Sequence, residues 1–123
     1  MILLVDNYDS FSYNLYQLIT ASHMTYYARR PRIPKSLINE HREGIIIGSA
    51  CEAGELYQAI LNDKSEERIA KIANFYDYLE IQPLGNNQFM IESQKITKVQ
   101  NEEDLKEINR KIVALGERFN KPV

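Results

Sequence analysis

The chain has a single cysteine, Cys51, so no intrachain disulfide can form and a reducing, cytoplasmic setting is expected. Histidine is nearly as scarce, with only His23 and His41. No H-x-H, C-x-x-C or H-E-x-x-H spacing occurs, so no metal motif is complete in sequence. There is no P-loop and no dinucleotide glycine pattern. Basic excess is missing too. The formal net charge of -2 argues against a standalone nucleic-acid binder, and no direct nucleic-acid binding is expected. Long apolar runs are absent. The opening run Ile2 to Val5 meets Asp6 at once, too short for a signal sequence or a membrane span.

What remains is ordinary globular material: 123 residues, 44% hydrophobic and 26% charged. That length suits one domain or a piece of one, read here as a single α/β unit over residues 1–123. Ile2 to Val5 reads as a buried parallel strand. Asp9 or Ser10 then caps a helix presenting Phe11, Leu15, Leu18 and Ile19. Residues 25–34 carry two prolines and should be an extended connector, with a short helix following at about Ser36 to His41. Gly44 to Gly48 (GIIIG) reads as a second buried strand. Residues 54–62 look helical, and Ser65 caps a helix whose apolar face is Ile69, Ile72, Ala73 and Tyr76. Tyr78 to Pro83 alternates like a strand, Gly85 to Asn87 is a turn, and Gln88 to Ile91 reads as a short strand. The last helix, Glu102 to Asn120, has the stripe Leu105, Ile108, Ile112, Leu115 and Phe119 behind an Asn101 cap. Lys121 to Val123 then resembles the start of a further strand, a hint of truncation.

Two places could carry chemistry. Cys51, in GSACEAGEL, lies just past a predicted strand and before a predicted helix, where α/β folds bind ligands. Its thiol is either a metal donor or nucleophile, or a small buried hydrophobe. A catalytic role needs a histidine base, and the glycines of a nucleophile elbow are replaced by Ser49 and Ala53, so no catalytic residue is assigned. The cluster Arg29, Arg30, Arg32 and Lys35 is either a solvated loop or a phosphate contact. Glu102, Glu103 and Asp104 are read as helix-start charges rather than ligands.

From about Asn14 the chain resembles the polymerase-and-histidinol-phosphatase (PHP) domain of PolC-type DNA polymerase III alpha subunits. The segments that carry the resemblance are NLYQLITASHMTYYARRPRIPKSL, HREGIIIGSACEAGELYQAIL, IANFYDYLEIQP and EEDLKEINRKIVALGERFNKPV. The resemblance implies an incomplete β/α, PHP-barrel-like fragment with mainly parallel strands and flanking helices. It implies that Cys51 corresponds to a metal ligand of the parent domain, zinc or manganese being the candidate ions. The family's H-x-H and Asp-x-His ligands have no counterpart in these residues, so the fragment is expected to lack catalysis and, in isolation, a cofactor. Expected partners are the rest of the polymerase and a second copy, through an exposed sheet edge or helix faces. The first nineteen residues, with DNYDSFSYNLYQL, resemble instead the glutamine amidotransferase subunit of anthranilate and aminodeoxychorismate synthases. That family's G-x-C-x-G-x-Q motif is missing, so an amidotransferase-related protein or a chimera is the alternative.

Overall fold

A computed structural model of the chain describes residues 12–93 and 96–123. The expected strand Ile2 to Val5, the caps Asp9 and Ser10 and the apolar residue Phe11 lie outside the described residues. The chain divides into two compact units, Met1–Ile46 and Ile47–Val123.

The described part of the first unit holds two helices. Helix α1, Ser12–Met24, buries Leu18 and Ser22 and leaves Leu15 exposed. Residues 25–34 form no helix, as their prolines require. Helix α2, Lys35–Glu40, begins directly after Pro34, whose extended backbone suits a residue just outside a helix. The Asn14 side chain donates to the Glu43 carbonyl at 3.0 Å.

The second unit contains the core. Helices α3 (Glu55–Leu61), α4 (Glu66–Phe75) and α6 (Glu102–Phe119) pack on one another, with a 3-10 turn at Leu84–Asn87 and the short α5 (Gln88–Glu92) beside them. Leu56, Ile60, Ile72, Leu79, Met90, Leu105 and Ile112 are among its fully enclosed side chains. Helices α4 and α6 have legible starts. Ser65 Oγ accepts from the Arg68 N–H at 3.4 Å, and Glu66 and Glu67 occupy the favourable first turn. Asn101 forms a reciprocal box with Asp104: Asn101 Oδ1 accepts from the Asp104 N–H, and the Asp104 carboxylate accepts from the Asn101 N–H. Replacing Asn101 by Ala should therefore cost about 1 kcal/mol, read as a lowered urea midpoint with an unchanged slope. At the other end of α6, Asn120 adopts the left-handed conformation, and the Lys121 N–H reaches the Gly116 carbonyl at 2.9 Å. This is the usual six-to-one helix closure.

The expected α/β fragment with parallel strands does not form among the described residues. Among the described residues there is no strand and no sheet, only two isolated bridges, Ala28 with Arg30 and Gly48 with Tyr78. The predicted strand segments of the second unit are extended, but side chains take the places a ladder would need. Asp77 Oδ2 accepts from the Ile47 N–H at 2.8 Å, and Ser49 Oγ accepts from the Glu80 N–H at 2.9 Å. Glu80 Oε1 accepts from the Ala50 N–H at 3.0 Å. Backbone pairs are few: the Asp77 N–H to the Ile47 carbonyl, and the Leu79 N–H to the Pro122 carbonyl. A backbone N–H bonded to a carboxylate cannot also serve a neighbouring strand, so pairing stops after one bridge. Nor is GIIIG fully buried, since Ile46 is 78% exposed. Gln88 to Ile91 is helical rather than extended, and it buries Met90. With no sheet among the described residues, the sheet edge expected to mediate dimerisation is not there.

A pair of polar side chains, Tyr57 and Asn87, sits inside the core. The Tyr57 hydroxyl, on α3, receives a hydrogen bond from Asn87 Nδ2 at 3.3 Å and faces Met90 Sδ at 3.7 Å. Burial raises the Tyr57 phenol above its ordinary value, against the lowering effect of the Asn87 hydrogen bond, and the nearby Glu52 charge adds to the rise. Burial also raises Tyr76, with Glu55 adding to the effect. Unfolded tyrosine titrates near 10. A raised folded value means that the protonated phenol contributes stability in full below pH about 10, and that this is lost as pH climbs through the folded value. Thermal midpoints should therefore fall as pH rises above about 10. The fall should be shallower in Tyr57→Phe, a comparison made by circular dichroism melts.

Candidate functional site

Cys51 occupies a turn between the segment at 47–49 and α3. Ala50 holds a left-handed backbone, φ 61°, which is uncommon for a residue with a Cβ. The turn then closes through the Gly54 N–H to the Cys51 carbonyl at 2.8 Å. Gly54 precedes α3 with extended geometry and no side-chain cap. Its lack of a Cβ is required, because an added Cβ would lie 2.4 Å from the Ser49 carbonyl oxygen and 2.9 Å from that of Cys51. The Gln58 side chain ties the turn to the helix by donating to the Glu52 carbonyl at 2.7 Å. Cys51 itself is a free thiol, half-buried.

The Glu80 carboxylate is tied to this turn by accepting from the Ala50 N–H. Asp77 is likewise occupied by Ile47. The two histidines belong to the first unit. His23 Nδ1 lies 3.0 Å from the Ile19 carbonyl and 3.1 Å from Ser22 Oγ, and His41 ends α2 through backbone bonds to Leu37 and Ile38. Among the described residues, no group of three or more His, Cys, Asp or Glu is placed to hold a metal ion. These residues therefore do not compose a metal centre, and Cys51 is at most one donor. The acids in the first turn of α6 are helix-start charges as expected. Asp104 serves the cap, and the Arg110 guanidinium, 2.6 Å from Glu103, holds that carboxyl below its usual range. The role of Asp77, Ser49 and Glu80 in holding the extended segments was not expected from the sequence. The only available signal was an acid within one segment read as a strand, Glu80, and a serine and an acid flanking the two segments, Ser49 and Asp77.

The PHP domain family profile matches residues 1–96. The chain belongs to the PHP domain family. A DNA polymerase III PolC-type protein of Clostridium perfringens is 56% identical over 110 residues, 89% of this chain. The Bacillus subtilis protein of the same name is 46% identical over the same share. One from Staphylococcus epidermidis is 40% identical over 121 residues, 98% of the chain. The PHP chain spans only 7% to 8% of the length of these relatives. The family match takes in the first nineteen residues, so the comparisons lend no support to an amidotransferase origin for them. No helix among the described residues is long and apolar enough to cross a membrane.

Proposed function

We propose that this PHP chain serves as part of a PolC-type DNA polymerase III, with the rest of such a polymerase as its partner and DNA synthesis as the activity of the whole. The observation that carries this reading is the 56% identity to the Clostridium perfringens protein over 110 residues. The chain's own part in that reading is structural. It supplies a packed helical core and a rigid turn bearing Cys51, without catalysis of its own. A reducing cytoplasm suits the free thiol.

Within that reading, Cys51 is one donor to a divalent ion, zinc or manganese, whose other donors come from outside the described residues. Thiolate favours zinc over manganese. One donor gives weak affinity, so titrating zinc into the purified chain should show only weak uptake, and Cys51→Ser should remove it. Tight stoichiometric binding would overturn the structural reading, because the chain would then hold a complete site. Weak uptake unchanged in Cys51→Ser would remove Cys51 from the metal.

A further inference from the structure

The net charge of -2 averages over a chain whose charges are unevenly spread. Residues 12–46 carry five Lys or Arg against two Asp or Glu. Within them, Arg29, Arg30 and Arg32 are exposed, and no ion pair engages them among the described residues. The same stretch exposes four aromatic rings. Tyr13 and Tyr16, one turn apart on α1, are 65% and 51% exposed and stack with centroids 6.1 Å apart and planes inclined by 29°. Tyr26 and Tyr27 follow directly after the helix and are exposed as well. The loop between the rings and α2 is shaped. Arg29 has φ 65°, the Ala28 N–H bonds the Arg30 carbonyl at 3.1 Å, and the Tyr27 hydroxyl donates to the Arg29 carbonyl at 3.3 Å. That conformation is uncommon for a residue with a side chain, and here the bonds on either side hold it.

We propose that these tyrosines and arginines form a docking surface for single-stranded nucleic acid. Exposed rings offer faces on which unpaired bases stack, and guanidinium groups outside any ion pair among the described residues offer charge to the phosphates between them. A duplex hides its base faces and gains only the charge. An acidic polypeptide likewise gains the charge and has no bases to stack. The proposal does not depend on the polymerase reading, since it stands on this surface alone.

The test is fluorescence anisotropy of the full chain with labelled oligothymidylate and oligouridylate at low salt. Binding of either, with affinity falling as salt rises, is expected, and the tighter of the two identifies the preferred sugar. Replacing Arg29, Arg30 and Arg32 together by Ala should flatten the slope of log affinity against log salt by about 2, at about 0.7 per lost phosphate contact. Tyr16→Ala should weaken binding about tenfold through lost stacking, and Tyr16→Phe, which keeps the ring, should not. Absence of binding to both oligomers would overturn the proposal. So would a duplex bound as tightly as the single strand, displacement by polyglutamate as effective as by unlabelled oligomer, or a salt slope unchanged in the folded triple variant.

Discussion

Leu105→Ala should lower the stability of the chain by about 2–5 kcal/mol, the largest effect expected of any single truncation here. Leu105 is 1% exposed, in the first turns of α6, and belongs to the cluster that joins α6 to α3 and α4. Its removal forfeits both the transfer of the side chain from water and the contacts around the space left behind. A domain of this size has about 5–15 kcal/mol in total, so much of the margin goes. Urea unfolding followed by circular dichroism measures it. Lys106→Ala is the control, because Lys106 is exposed one residue further along the same helix, and its effect should stay within about 0.5 kcal/mol.

The second large effect is local and concerns the Cys51 turn. Gly54→Ala should cost about 1–3 kcal/mol, because the added methyl meets two backbone carbonyls that cannot rotate away. Relief requires opening the turn and breaking the Gly54 N–H bond to the Cys51 carbonyl. A glycine with room gives the contrast. At Gly85 an added Cβ would meet nothing within 4 Å, so Gly85→Ala should be neutral or stabilising by up to about 1 kcal/mol. If both substitutions cost the same, the carbonyl collision is not the cause. The Gly54 variant should also change the reactivity of Cys51 towards a thiol reagent, since the thiol sits inside the turn that must open.

The helices were the most legible part of the sequence, for reasons tied to particular residues. In α6 the apolar stripe has period 3.6 over eighteen residues, and Asn101 with Asp104 marks where it starts. In α4, Ser65 and two glutamates do the same over ten residues. Both signals are local, so they survive without knowledge of the tertiary structure. The short apolar segments were harder. Gln88 to Ile91 reads as a strand by composition, yet it continues a 3-10 turn that begins after Pro83, and helix places Met90 in the core. GIIIG and Tyr78 to Pro83 read as strands, yet neither forms one. Whether extended segments become strands depends on what their N–H groups find, and here Asp77, Ser49 and Glu80 intervene from positions about 30 residues away in the chain. No window of sequence reports that. Cys51 precedes a helix as expected, but the segment before it does not form the predicted strand.

The most direct measurement uses the Clostridium perfringens relative with its 110 matching residues replaced by those of this chain. Primer extension by this hybrid, purified beside the unaltered relative, should proceed at a comparable rate. A hybrid that folds, as judged by circular dichroism, yet fails to extend a primer would contradict a place for this chain in such a polymerase.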